Sequence, residues 1–299
     1  MNPNHSLLNK IAIGTAQLGM QYGVTNTNKI PSKSEVFRIL EFANNQGIKL
    51  LDTAVNYGDS QKLIGDFNNK ENFAISTKIP LVDNKRISEN LNEYVHNSLS
   101  VLNTHKLDYC FLHSTEQLLG NEGTIIWESL YSLKNKGLIN NIGLSVYEPK
   151  EIITALEKNY IPDSVQLPIN LFDNRFDKAG VLDDLASRGI EIHARSIFLQ
   201  GLLLKTAQSL PSNFLKWANL WKDLDEFFAS NNLDRYLYLI DLILRDSRIS
   251  KVVIGISSID ELIALVRGMD RIPLKNFVSY SVSKVDTQLI DPREWNKEK

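Results

Sequence analysis

One cysteine, Cys110, is all the chain offers in 299 residues, so an intrachain disulfide and a cysteine-based metal cluster are both excluded. Charge of one sign is also lacking: 33 Lys and Arg stand against 35 Asp and Glu, a formal net charge of −2. A general nucleic-acid or membrane-surface binder needs a concentrated basic field, so neither is expected. No apolar run approaches the ~18 residues of a membrane span. Met1 to Lys10 is polar and holds no apolar h-region; no secretory signal is expected, and the plain reading is a cytoplasmic protein. Gly-x-Gly-x-x-Gly is missing too, because Gly14 and Gly19 have the wrong spacing for that phosphate-binding turn. What remains is an ordinary globular composition, 43% hydrophobic and 23% charged, in a chain long enough to bury a large core.

Short apolar runs alternate with longer amphipathic stretches. The runs are 11–16, 48–54, 73–79, 107–113, 139–146, 164–170, 190–197 and 251–257. Each is rich in Ile, Leu or Val, the pattern of strands buried on both faces of a parallel sheet. Helical patterns follow at 34–46, 87–103, 124–136, 149–158, 177–188, 233–246 and 259–268, with a weaker one at 60–68. The first helix opens on Ser32-x-x-Glu35, a capping-box spacing, and stops at Gly47; Gly137 and Gly189 end two others. Eight strand-then-helix units predict a parallel sheet, and eight is the number that closes a barrel. The expected fold class is therefore α/β, a single-domain (β/α)8 TIM barrel over 11–269 with a C-terminal extension over 270–299. A doubly wound open sheet is the competitor. Residues 198–232 are long for one strand-to-helix connection; such a segment either covers an active site or forms a surface helix.

In a closed barrel the C-terminal strand ends converge on one face, and chemistry sits there. The second strand ends Leu50-Leu51-Asp52-Thr53-Ala54 with Tyr57 just beyond, the third ends Ser76-Thr77-Lys78, and the fourth ends Phe111-Leu112-His113. Taken singly, Asp52 reads equally as a cap, Lys78 as a rim ion-pair partner, His113 as a structural histidine and Tyr57 as loop packing. Together they place four complementary groups side by side. A tyrosine is a poor acid at neutral pH, but a nearby ammonium stabilises its phenolate; a carboxylate fixes that ammonium, and a histidine donor polarises a carbonyl. Such a set protonates a developing alkoxide, and the hydride must come from a cofactor.

These motifs resemble the aldo-keto reductase superfamily from Ile11 to about Met269. Gly14-Thr15-Ala16-Gln17-Leu18-Gly19 is similar to its opening strand, and Asp52-Thr53-Ala54-Val55-Asn56-Tyr57-Gly58 to its Asp-Thr-Ala…Tyr-Gly motif. Ser76-Thr77-Lys78 and Leu112-His113-Ser114 resemble its lysine and histidine motifs. The resemblance implies that Tyr57 is the proton donor, assisted by Lys78, Asp52 and His113. It also implies a nicotinamide cofactor near Gly14, Thr15 and Ala16. Ser145 and Gln166 would hold the carboxamide, although Val146 replaces the asparagine that usually helps. Arg195, with Ser196 after it, stands where many relatives place an aromatic residue against the nicotinamide ring. Leu199, Gln200 and Gly201 resemble the pyrophosphate loop, and Gly255, Ser257, Ser258 and Glu261 the adenosine-phosphate end.

NADP(H) is the family expectation; NAD(H) is the alternative, because Glu261 stands where relatives place an arginine for the 2′-phosphate. Gln166 to Asp173 and Arg195 to Gly201 resemble bacterial reductases of surface-polysaccharide and nucleotide-sugar pathways, which implies a sugar-derived carbonyl. The expected partner is a small-molecule carbonyl substrate. Three rivals stay open: a Schiff-base aldolase on Lys78, a metal-dependent hydrolase built from His113, His193 and Asp52, and a cofactor-binding regulatory subunit of the same fold. At the C-terminus, Arg293 or Trp295 is expected at the barrel mouth, against the alternative of a tail packed outside.

Overall fold

The Ser32 hydroxyl accepts the Glu35 N–H at 3.3 Å and opens the helix Lys33–Asn45, which the chain leaves through Gly47 at φ +80°. Gly137 and Gly189, at φ +73° and +71°, likewise follow the helices Gly123–Asn135 and Val181–Ser187. Left-handed backbone at these stops is what glycine tolerates without steric cost. Such local signals set the element order in a computed structural model that describes residues 3–83, 85–272, 278–282 and 285–295.

Eight parallel strands close into a barrel, each paired with the next and the last with the first. They are β1 (Ile11–Gly14), β2 (Leu50–Asp52), β3 (Ala74–Ile79), β4 (Leu107–Leu112), β5 (Ile139–Ser145), β6 (Ser164–Pro168), β7 (Glu191–Arg195) and β8 (Ile249–Gly255). The closed order is that of a (β/α)8 barrel, and the open sheet is overturned. Helices cover the strands, and their buried faces join the outward strand residues in one core that includes Ile39, Leu40, Leu91, Leu130, Ile152, Leu185 and Leu262. Each such side chain contributes about 1.5–3 kcal/mol when fully buried. Among the described residues, no helix is long and apolar enough to cross a membrane.

Beyond small shifts at strand and helix ends, three departures from the sequence pattern bear on the site and its surroundings. The first strand stops at Gly14, and Ala16–Gly19 forms a helical turn instead of continuing it. The helix expected over 177–188 is two short ones, Arg175–Lys178 and Val181–Ser187, parted by Gly180 at φ +70°. Residues 198–232 hold three 3-10 turns, Leu202–Leu204, Ala207–Ser209 and Ser212–Trp217, and then the helix Ala218–Ser230. That segment builds a second apolar cluster in which Leu202, Phe214, Trp221 and Phe228 pack with Phe172, Leu289 and Ile290. Only its first residues face the barrel mouth. Of the expected extension over 270–299, positions 273–277, 283–284 and 296–299 fall outside the described residues; of the rest, 287–290 is a helical turn on this second cluster.

Candidate active site

Asp52 is the last residue of β2, and Lys78 lies one residue before the end of β3. Their side chains meet at 2.6 Å and are 2% and 4% exposed, Lys78 first. Lys78 Nζ also donates to the Thr53 carbonyl at 3.1 Å. Ser76 Oγ and Gln166 Nε2 both donate to Asp52 Oδ1, at 3.2 and 2.8 Å. A buried ion pair survives only when such extra bonds replace the lost water. Burial pushes the Lys78 ammonium below its ordinary value, and Asp52 opposes that push.

Tyr57 reaches this pair from the loop after β2, and two glycines set its position. A Cβ on Gly19 would lie 2.2 Å from the Tyr57 carbonyl oxygen, and one on Gly58, at φ +56°, 2.3 Å from the Gly19 carbonyl oxygen. The two backbones touch because neither residue has a side chain. The Tyr57 ring then lies 5.1 Å from Lys78 Nζ and 5.9 Å from the His113 ring, edge to face at 81°. Burial raises the Tyr57 phenol well above its ordinary value, Asp52 adds to this, and Arg195 opposes it. The ammonium expected to ease phenolate formation is thus held by Asp52 and sits over the ring face; the cation that opposes the rise is Arg195. Burial, then Lys78 and Arg195, push His113 down to about 4, so it stays a neutral donor at neutral pH.

A cavity of roughly 330 Å³ runs from Asp52 and Tyr57 past Gln166, Arg195 and Ser196 to Gly255 and Glu261. Gly14, Ala16, Gln200 and Gly201 also line it. Ser196, Leu199 and Gln200 adopt left-handed φ of +58°, +49° and +52°, and Gly201 follows at +87°. Three non-glycine residues in that region are strained, and such strain gathers at binding loops. Five expected cofactor residues stand apart from the cavity wall. Thr15 is buried and donates to the Asp52 carbonyl at 3.0 Å, while Ser145 is buried at the end of β5. The Leu199 side chain points into the second apolar cluster. Ser258 caps the helix Ile259–Met269, and Ser257 donates from its N–H and Oγ to the Glu261 carboxylate at 2.7 and 2.9 Å. Glu261 is therefore a capping residue as well as a wall of the cavity, a Ser-x-x-Glu signature that stood unread at 258–261.

Other lining residues gave no comparable sequence signal. The loop after β1 brings Tyr22, Gly23 and residues 25–28 across the groove. Thr25 Oγ1 donates to the Gln200 carbonyl at 3.0 Å, and Asn28 Nδ2 to Ser257 Oγ at 2.9 Å. Phe198 and Tyr236 stack at 5.2 Å in the same wall.

The model of the Aldo/keto reductase family matches residues 10–286. The chain belongs to that family. It is 30% identical over 156 residues to D-arabinose 1-dehydrogenase of Saccharomyces cerevisiae (strain ATCC 204508 / S288c), a match that covers 49% of this chain and 45% of the yeast protein. The chain thus spans under half the length of that curated relative. The holo form of an aldo-keto reductase from Bacillus halodurans superposes with a TM-score of 0.70 at 20% identity, covering 89% of this chain and 88% of the other. A reductase of the same class from Pseudomonas aeruginosa gives 0.66 at 21%, covering 88% and 90%. At those identities the likeness is one of fold.

The aldolase alternative fails on access, since Lys78 Nζ is buried against Asp52 and Thr53 and is absent from the cavity wall. His193 lies inside the barrel, against Glu191 at 3.2 Å and the rings of Tyr109 and Phe111, apart from His113. In the tail, Arg293 reaches the mouth and stacks 4.2 Å from the Tyr147 ring, held by Asp291 at 2.6 Å. Trp295 turns away to Phe214 and the Leu289 carbonyl.

Proposed function

We propose that this aldo/keto reductase reduces an aldehyde or ketone with a bound nicotinamide cofactor, with Tyr57 giving the proton. The observation that carries this is the convergence of Lys78 on Asp52 and of His113 on Tyr57, Asp52 and Tyr57 lining one end of the groove that Glu261 closes at the other. The groove fits a dinucleotide by its chemistry. Gly14, Gly23, Gly201 and Gly255 let the wall approach a ligand, the stacked Phe198 and Tyr236 offer an apolar face for a base, and Gln166 keeps its carbonyl free after donating to Asp52. When bound, the cofactor supplies hydride. Neutral His113 donates to the carbonyl oxygen, Tyr57 protonates that oxygen as it becomes an alcohol, and Lys78 with Asp52 keeps the phenol in place.

NADP(H) is the family's usual cofactor, but Glu261 offers an acceptor suited to a ribose hydroxyl and repels a 2′-phosphate. Lys251 donates to the Asn9 carbonyl, and neither it nor Arg267 or Arg271 lines the cavity. The preference between NADPH and NADH is therefore modest. A polyhydroxylated, sugar-derived carbonyl is the substrate class, supported by the resemblance to polysaccharide-pathway reductases and by the sugar in the yeast relative's name. Titration with NADPH and NADH, followed by fluorescence, tests the cofactor site. Assays with simple aldehydes and open-chain sugars test the chemistry. Binding without turnover of any carbonyl would favour a regulatory role.

A further inference from the structure

Arginines in this protein are generally neutralised where they are drawn inward. Arg175, Arg235, Arg245, Arg248 and Arg293 each hold an aspartate or a glutamate. Arg195 differs. Its polar contacts are the Val146 carbonyl at 3.0 Å and Ser196 Oγ at 3.4 Å, and among the described residues no carboxylate reaches it. Its guanidinium carbon lies over the Tyr147 ring, 4.1 Å from the centroid, at the end of β7, and the residue lines the cavity with Tyr57 and Gln166. The cations around it have partners of their own: Lys78 is matched by Asp52, Arg293 by Asp291, and His113 is neutral at working pH. Among the described residues, the reacting end of the cavity therefore carries a guanidinium with no carboxylate in contact.

We propose that Arg195 discriminates between the redox forms of the cofactor, accepting the neutral reduced nicotinamide and rejecting the cationic oxidised one, so that the reduced form occupies the site and the oxidised form is released from it. This rests on the nicotinamide reading given above. In the reduction, the carbonyl carbon gains a C–H bond with the electron pair of the hydride. Its oxygen takes the Tyr57 proton, the phenol is re-protonated from solvent, and the cofactor is left with a positive charge. The reverse reaction must begin with that charge bound beside Arg195. Coulomb repulsion is not directional and falls off only slowly with distance. At a protein-like effective dielectric, two unit charges several ångströms apart change an equilibrium constant by about 10–10³. The same cation lowers the cost of a developing alkoxide on the substrate, which offsets the cost of forming the oxidised ring in its presence.

Dissociation constants for NADPH, NADP+, NADH and NAD+ test this without turnover, on the wild type, Arg195→Gln and Arg195→Lys. In the wild type the oxidised form of the preferred cofactor binds at least about tenfold more weakly than the reduced one. Arg195→Gln removes most of that gap by tightening the oxidised form, while Arg195→Lys keeps the gap. Equal weakening of both forms by Arg195→Gln makes Arg195 a wall only and overturns the inference. So does a collapsed gap in Arg195→Lys, the variant that decides if the glutamine protein does not fold. A wild type that binds both forms equally overturns this inference alone; one that binds neither overturns the proposed function and the inference together.

Discussion

The two sides of the barrel mouth are built on different principles. On the β2–β4 side, Asp52 and Lys78 are buried, Tyr57 and His113 are half-buried, and the ion pair is satisfied by Thr53, Ser76 and Gln166. On the β7–β8 side the groove is made of loops, with left-handed residues at 196, 199 and 200, a bare cation at Arg195 and a carboxylate at Glu261 held by its own helix. On the first side the ion pair is tied from several directions, and the second leaves groups open to a ligand. Substitutions on the first side should therefore cost chemistry or stability outright, and those on the second should change which ligand is held.

Tyr57→Phe sharpens that contrast most. Turnover with a generic aldehyde should fall by roughly 10²–10⁴, the usual worth of a positioned acid, while cofactor dissociation constants stay within about twofold. Near-normal turnover would remove Tyr57 from the chemistry. Next in size is Lys78→Met, which strands a buried Asp52. Urea denaturation should show a loss of about 3–5 kcal/mol, and the Lys78→Met/Asp52→Asn double variant should be less than additive. Additive losses would mean that the two groups act separately.

His113 gives the third effect. Its pKa lies near 4 in the fold, pushed down chiefly by burial, against about 6.5 in an unfolded chain. The unfolded state then binds the proton more tightly, so the contribution of His113 is full above pH 6.5 and is lost as pH falls toward 4. That loss is on the order of 3 kcal/mol at most, and His113→Asn should flatten the stability curve across this window. An unchanged slope would place His113 in a wetter setting than the fold gives it.

Glu261→Arg is the smallest and the most two-sided. Losing the acceptor for Ser257 should cost about 1 kcal/mol of stability. NADPH affinity should rise by roughly 1–3 kcal/mol and NADH affinity change little. A wild-type preference for NADPH above about a thousandfold would contradict the role assigned to the carboxylate.

The same division explains what could be read from the sequence. Eight buried strands are legible because parallel strands covered on both faces must be apolar throughout, and the strand-end residues Asp52, Lys78 and His113 then stand out as the polar exceptions. Strand alternation also carries Gln166 and Arg195 to the mouth. Loop conformation has no such periodicity. The Tyr22-to-Asn28 crossing, the Phe198–Tyr236 stack and the withdrawal of Leu199 into the second apolar cluster depend on contacts between residues far apart in the chain. The cap formed by Ser258 and Glu261 is missed for another reason: one motif serves a helix end and a groove wall at once.

Gly19 and Gly58 hold none of the chemistry, yet their touching backbones fix where the Tyr57 loop can lie. In a library of random variants these two positions should behave like the polar residues of the site, with almost every replacement losing turnover. Gly47 and Gly137, where a Cβ would meet nothing within 4 Å, should instead cost only the strain of their backbone. Mutational intolerance at Gly19 and Gly58 would then mark a shared boundary between two loops, and a survey that ranked positions by reactivity alone would pass over it.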